Sequence, residues 1–598
     1  MNILKKFSPS LLFIVVVFLI YSHILHSPFQ FDDVWFIVDN YTIRDIKNLP
    51  LIWEGVLAYP TRFITFFTFA LNYHFHQLDV FGYHLTNVLI HLLNGGLVYW
   101  LVQQLCAATV TLKNKKEEGV ALVSALIFLV HPVQTQAVTF ITQRFACLAA
   151  LFYLLSLCFY IKGRSLSSKN IHYFVGAGLA AFLGMLSKEM TLTLPLMILL
   201  IEYCFFKPQK FKRFKSQYLF LLIGFGLIVP YFYSFKLSAV FAPKLSLSHL
   251  GDQLTPYTYA LTQVRVLVTY LRLLFWPVNQ NLDYDYPMST TWADVQVIGS
   301  MLILITLLLA GFKIKEKEPL ISFGIFWFFL TLSINFLPRQ NVIAEHNLYL
   351  PSVGFALAVS AGVFTWTTKK QNLQIVLTGL ILLLGMTTIK RNFIWQTEVK
   401  LWEDTVKKSP GKYTVYQNLA QAYINADELD RAQITLAKAL QINPNFELAY
   451  NDRGNIFLKL GLLKEAIGDF DKAIAIDPHL HQAYNNRAIC YQRQKMYDHA
   501  LQDYNQAIQI VPHYAQAYNN RGSLYLLRKE FLKAKSDFEK SIELTPHDSK
   551  PYLNLAVTYQ YQQNSEAALH FAQRAAQMGH PKAAHFIERI KQENQYKN

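Results

Sequence analysis

Apolar runs separated by short polar loops fill the first two thirds of this chain, after which a regular polar-apolar alternation takes over. Stretches long enough to cross a bilayer, about 17–25 residues, fall at 9–27, 83–106, 119–138, 142–161, 171–187, 190–206, 217–235, 296–312, 319–337, 347–367 and 373–389. The segment 257–276 carries Arg265 and Arg272 and is read as re-entrant or interfacial. The pattern predicts a polytopic helical membrane domain of about 11 spans over residues 1–390.

Beyond residue 390 the period changes. Prolines at 410, 444, 478, 512 and 546 recur every 34 residues, and Pro581 follows after 35. One unit reads Tyr450, Gly454, Phe457, Ala466, Phe470, Ala473, Pro478, and the next Tyr484, Ala488, Tyr491, Ala500, Tyr504, Ala507, Pro512. Small residues let two helices approach, aromatics fill the gap, and the proline ends the second helix. This is the tetratricopeptide-repeat signature. It predicts five units at about 413–446, 447–480, 481–514, 515–548 and 549–582, an α-solenoid over 413–598, and a connecting helix within 391–412. The fold class is therefore all-α, a membrane domain followed by a repeat superhelix.

Charge fits that division. Of the formal +16, residues 1–390 carry +12 and residues 391–598 carry +4. A pI near 9.3 invites a nucleic-acid reading, but the basic residues sit in short loops between apolar runs, a pattern of membrane topology rather than of phosphate-backbone binding. Clusters at Lys5–Lys6, at Lys113, Lys115 and Lys116, at 162–169, at 207–215, at 313–317 and at Lys369–Lys370 occupy every second loop. The positive-inside rule then puts the N-terminus in the cytoplasm and both the loop after the first span and the repeat array outside it. The first apolar run has no small-residue cleavage site after it and is read as an uncleaved helix. Cys106, Cys147, Cys158 and Cys204 lie in apolar segments and Cys490 stands alone, so no disulfide framework or CxxC metal site is present.

Ionisable residues near lipid are costly and raise functional hypotheses. Asp32 and Asp33 stand in FQFDDVWFIVDN directly after the first span, and Arg62, Arg144, Lys188 with Glu189, Arg339, and Glu345–His346 lie near outward-facing ends of spans. His84 and His91, seven apart on one helix face, read as packed, hydrogen-bonded residues. Adjacent carboxylates also suit a divalent cation, and the residues do not decide whether one is used. In the repeats, Asn418, Asp452, Asn486, Asn520 and Asn554 recur two residues after each repeat tyrosine, on the face expected to be concave. A column of amides suits the backbone of an extended peptide and resembles the asparagine ladder of O-GlcNAc transferase. Asn is also a common consensus residue there. Asn40-Tyr-Thr matches a glycosylation sequon, for which chance is the better account.

Taken in order, FDDVWFIVDN, YHLTNVLIHLLN, HPVQTQAVTFITQRFACLAALFYLLSL, MLSKEMTLTLPLMILL, AEHNLYLPSVGF and the W-x6-W of Trp395 and Trp402 resemble the transmembrane-and-TPR O-mannosyltransferases, of the GT-C class of glycosyltransferases. The resemblance covers nearly the whole chain, least distinctly at 206–295. It implies transfer of a sugar, mannose in that family, from a polyprenyl-phosphate donor to Ser or Thr hydroxyls, with inversion. It implies an acidic base in the first outer loop, matched by Asp32 and Asp33 without choosing between them. The cations available for the departing phosphate are Arg62, Arg144, Lys188, Arg339 and His346, with Glu189 and Glu345 as supporting acids. Two departures stand out: Gln136 where the family has Glu, and His346 where it has Arg. No cofactor is fixed by the sequence; the implied partners are the bilayer, the lipid-linked sugar and a polypeptide acceptor, with no nucleic acid. Two other readings stay open, a transferase acting on a surface glycan or lipid and a non-catalytic, membrane-anchored repeat scaffold. Compact repeats without disulfides favour a bacterial inner membrane with the array in the periplasm; in a eukaryote the same topology puts it in the endoplasmic reticulum lumen.

Overall fold

A computed structural model describes residues 8–55, 62–109, 114–166, 171–206, 255–339, 341–366 and 370–595. Among the described residues every regular element is helical, and the chain divides into two compact units, Met1–Ser409 and Pro410–Asn598. The expected span at 217–235 lies outside the described residues, as do the basic residues at 207–215.

In the first unit five helices are long and apolar enough to cross a membrane: Val80–Ala108, Ile141–Ser165, Val295–Ile314, Pro319–Phe336 and Gln374–Ile394. The expectation of about 11 full spans is not what the described helices show. Pro9–Tyr21 and Ile171–Met185 have 13 and 15 residues, only about 20 Å at 1.5 Å per residue. The run at 119–138 bends by 52° where His131–Pro132 interrupts it, giving at most a sixth span. The run at 190–206 opens as the 3-10 turn Glu189–Thr193 before the helix Leu194–Phe205. The segment read as re-entrant is one unbroken helix, Pro256–Phe275, and is not among those apolar enough to cross.

These helices pack through small residues and buried polar contacts, as membrane helices do. A Cβ on Gly324 would lie 2.4 Å from the Gly354 carbonyl, so Pro319–Leu332 and Pro351–Trp366 meet backbone to backbone. His91 bonds the Tyr349 hydroxyl (2.8 Å) and the Leu129 carbonyl (3.1 Å), and His84 bonds the Ser27 carbonyl (2.9 Å), the packing role expected of both.

The second unit is five antiparallel helix pairs, from Tyr413–Asn425 with Leu429–Ile442 to Ser549–Tyr561 with Ser565–Gln577, and a last helix Ala583–Gln595. A Cβ on Gly454 would fall 2.7 Å from the Phe470 ring, which is why position 454 is small. Each turn between paired helices needs one left-handed residue, supplied by Asp427, Gly461, Lys495, Lys529 and Gln563 at the same 34-residue spacing; only Gly461 takes that conformation without steric cost.

The central three repeats also share an ion pair that sequence inspection did not single out. Arg453, Arg487 and Arg521 grip Asp469, Asp503 and Asp537 through both carboxylate oxygens at 2.6–2.8 Å. The fifth repeat places Leu555 and Phe571 at the same two positions. Breaking a buried pair strands a charge, whereas replacing both partners by apolar groups is often neutral. Arg487→Leu is therefore expected to destabilise the array by about 3 kcal/mol, and Arg487→Leu with Asp503→Phe to recover all but about 1 kcal/mol. Thermal unfolding of the full chain checks this; a double variant as unstable as the single would show that the pair is not interchangeable with the apolar one.

Candidate functional site

The FDD loop closes on itself before it meets anything else. Phe31 takes a left-handed backbone (φ 49°), rare for an aromatic residue. The next residue but one, Asp33, fixes the turn: its Oδ2 accepts the Gln30 N–H (3.1 Å) and its Oδ1 the Thr142 N–H (2.8 Å). The Gln30 side chain donates to the Trp395 carbonyl (2.6 Å), and the Phe31 ring sits edge-on against Trp402 at 5.5 Å. Three motifs far apart in sequence, FDD, the TQR segment and W-x6-W, thus meet at one loop.

The two aspartates differ in consequence. Asp33 is buried at 1% exposure and both of its oxygens are committed to backbone N–H groups. Burial pushes its carboxyl up to about 7, against those hydrogen bonds. Asp32 is half-buried; desolvation raises its carboxyl too, and the positive charge of Arg62 opposes the rise. Asp33 builds the loop, and Asp32 faces charge.

That charge belongs to a cluster. Ile64 N–H donates to the Leu186 carbonyl (3.0 Å), which ties the start of helix Phe63–His76, and with it Arg62, to the segment carrying Lys188 and Glu189. The positive charge of Arg62 favours ionised Asp32 and disfavours the charged forms of Lys188 and His346, in each case behind the larger effect of burial. Arg339 pairs with Glu189 at 3.4 Å. A small cleft opens here, lined by Lys188, Met190, Asn335, Arg339, His346 and Asn347 among others. Asn335 Nδ2 and His346 Nδ1 are buried without hydrogen-bond partners among the described residues. Clustered cations and buried nitrogens without partners are the groups an anion would pair with. Asn335 and Asn347 were missed in sequence because isolated asparagines near span ends carry no pattern.

Other expected members lie elsewhere. Arg144, proposed for phosphate, is fully buried, and neutral groups take its N–H donors: Asn87 Oδ1 (2.6 Å), Asn72 Oδ1 (2.6 Å), Thr68 (3.2 Å) and the Tyr83 carbonyl (2.9 Å). It locks helices rather than facing a ligand. Glu345 is also buried. Its oxygens accept from Asn281 N–H (2.5 Å), Tyr284 hydroxyl (2.6 Å) and Gln280 Nε2 (3.0 Å), and burial raises its carboxyl despite Arg391. Glu345 fastens the 280–284 loop. Gln136, the amide in place of an acid, accepts the His346 N–H at 2.7 Å and so anchors one wall of the cleft.

Each Asp33 oxygen already accepts one backbone N–H, which leaves that carboxylate a poorer partner for a divalent ion than a free one. Among the described residues no group of three His, Cys, Asp or Glu side chains could hold a metal. The sequon is a local cap: Asn40 Oδ1 accepts from both the N–H and the hydroxyl of Thr42 (3.0 and 2.7 Å).

In the repeats, the asparagine column is stitched from unit to unit. Asn486, Asn520 and Asn554 donate to Asn451, Asn485 and Asn519 of the preceding repeat at 2.8–3.1 Å, and Gln417 donates to Asp452 (2.9 Å). These contacts between repeats give the asparagine column a packing role. The signal was the residue just before each, Asn451, Asn485 and Asn519, also repeating every 34. Asn418 begins the column at the first repeat with no earlier partner repeat to meet.

Comparison with known proteins follows the same division. Models of the tetratricopeptide repeat match 413–446, 448–480, 481–514 and 515–548. A protein O-mannosyl-transferase of Caenorhabditis elegans is 28% identical over 71% of this chain and 61% of its own length. Protein O-mannosyl-transferase TMTC3 of Homo sapiens is 26% identical over 76% of this chain and 53% of its own. The chain thus spans about half to three fifths of the length of these relatives. Among solved structures, Pseudomonas aeruginosa pilF aligns with 31% of this chain and 84% of its own at 24% identity and a TM-score of 0.29. With apolar helices in one unit and tetratricopeptide repeats in the other, the chain is similar over about three quarters of its length to these protein O-mannosyl-transferases.

Proposed function

We propose that the chain transfers a sugar, mannose by likeness to its relatives, from a polyprenyl-phosphate carrier to Ser or Thr hydroxyls of a protein on the non-cytoplasmic side. The observation that carries the reading is the gathering of Lys188, Arg339 and His346 around one cleft, with Arg62 tied by the Ile64–Leu186 hydrogen bond to the segment bearing Lys188. The acceptor hydroxyl attacks the anomeric carbon, the bond from that carbon to the phosphate oxygen breaks, and Asp32 takes the hydroxyl proton. Inversion follows from this single displacement. The phosphate leaves with an added negative charge, which Arg62, Lys188 and Arg339 are placed to stabilise. Asp33 positions the base through its two backbone hydrogen bonds. Repeats of this kind bind peptides, and Asn418, Asp452 and the inter-repeat amides line the face that would deliver the acceptor. The loop charges support an N-terminus in the cytoplasm and an array outside it, in a bacterial periplasm or its topological equivalent.

Arg339 tests the cleft with little risk to the fold, since its side chain is 26% exposed. Arg339→Gln is expected to weaken binding of a polyprenyl phosphate by about tenfold, as loss of one charge-assisted contact does. Unchanged affinity would place the phosphate elsewhere.

A further inference from the structure

The positive side chains around the cleft are of two kinds. Arg62 and Arg339 carry permanent charge. Lys188 is pushed down to about 7, first by burial and then by its cationic neighbours. His346 is held well below its usual range by burial, with Lys188, Arg339 and Arg62 all disfavouring its charged form. Burial thus works against four full charges crowded together here.

The position of His346 is not adjustable. Gln136 pins its backbone N–H at 2.7 Å, and Glu345 before it is tied to Asn281 and Tyr284. Its Nδ1 is buried in the cleft wall without a partner among the described residues. The charged groups facing the ring are Lys188 and Glu189 from the turn at 188–193, Arg339 from the segment after Ser333–Phe336, and Arg62 from the start of helix Phe63–His76. Of these only Glu189 is acidic, and Arg339 already pairs with it.

We propose that His346 becomes an imidazolium only when an anionic phosphate occupies the cleft, so that phosphate binding takes up a proton from solvent at this ring. The inference rests on the cleft being the phosphate site. An entering anion offsets the three repelling cations and gives Nδ1–H an acceptor, and both effects favour the charged ring. No bond to carbon changes at His346; the acceptor's proton still goes to Asp32. The linkage favours the leaving polyprenyl phosphate over the donor diester, because the leaving group bears one more negative charge. A permanently charged residue at position 346 would not discriminate in this way.

Isothermal titration calorimetry of the full chain in detergent, in buffers of different ionisation enthalpy, counts the proton. Citronellyl methyl phosphate serves as probe, since a phosphodiester stays singly charged near neutrality. Wild type at pH 7 is expected to take up at least about half a proton more than His346→Gln. Between pH 8 and pH 6 its Kd is then expected to tighten by about tenfold more than that of the variant. His346→Arg is expected to bind the probe well and to show the same lowered uptake. Equal uptake by wild type and His346→Gln, or none by either, would overturn the linkage while leaving the phosphate cleft in place. Failure of wild type to bind the probe at all would remove both.

Discussion

Asp32→Asn is expected to lower sugar transfer by about 10³-fold, the scale of a lost general base, while polyprenyl-phosphate affinity stays within about twofold. The asparagine keeps the size of the side chain and removes the proton acceptor. Asp33→Asn is expected to behave differently, because Asp33 holds the loop through two backbone N–H groups. An amide can accept only through its oxygen and sets its NH2 against the other donor, so the loop loosens. Its signature is a lower unfolding temperature together with a partial loss of activity. If Asp33→Asn were the inactive, well-folded variant and Asp32→Asn the loosened one, the roles assigned here would be reversed.

The second large effect falls on folding. Arg144→Met removes the donor that Asn87, Asn72, Thr68 and the Tyr83 carbonyl share. Each buried acceptor left without a partner costs about 1–3 kcal/mol, so the loss is expected to reach about 5 kcal/mol. The variant should appear as aggregated protein, or as a sharply lower unfolding temperature in detergent. A residue that bound phosphate would give the opposite result, a folded protein with donor binding gone. Size-exclusion and thermal unfolding, read beside a polyprenyl-phosphate binding curve, separate the two.

The contrast between Arg144 and Arg339 shows where sequence stops being informative. Both are single cations at the end of an apolar run, and from the chain alone they are equivalent. What separates them is the surroundings: Asn87 and Asn72 reach Arg144 across 57 and 72 residues, whereas Arg339 meets Glu189 at the edge of a cleft. The same holds for Asp32 and Asp33, which are neighbours in sequence and part company only because Phe31 turns the backbone between Gln30 and the pair. Periodic features were far more legible. The 34-residue spacing of prolines and aromatics gave the helix pairs to within a residue or two, since every repeat restates the same packing problem. Apolar runs located the membrane helices, but hydropathy does not register a break such as the one at His131–Pro132. The asparagine column was visible and its partner was not noticed, although Asn451, Asn485 and Asn519 stand directly beside it.

In the fold FDD, the TQR segment and W-x6-W meet at one place, a convergence the linear order of the motifs does not show. The most direct measurement combines the purified chain, a polyprenyl phosphomannose and a Ser/Thr-containing acceptor protein, followed by intact-mass analysis of the acceptor. The account predicts a mass increment of one hexose with wild type and none with Asp32→Asn under the same donor occupancy. An acceptor left unmodified by wild type, or modified equally by Asp32→Asn, would contradict it.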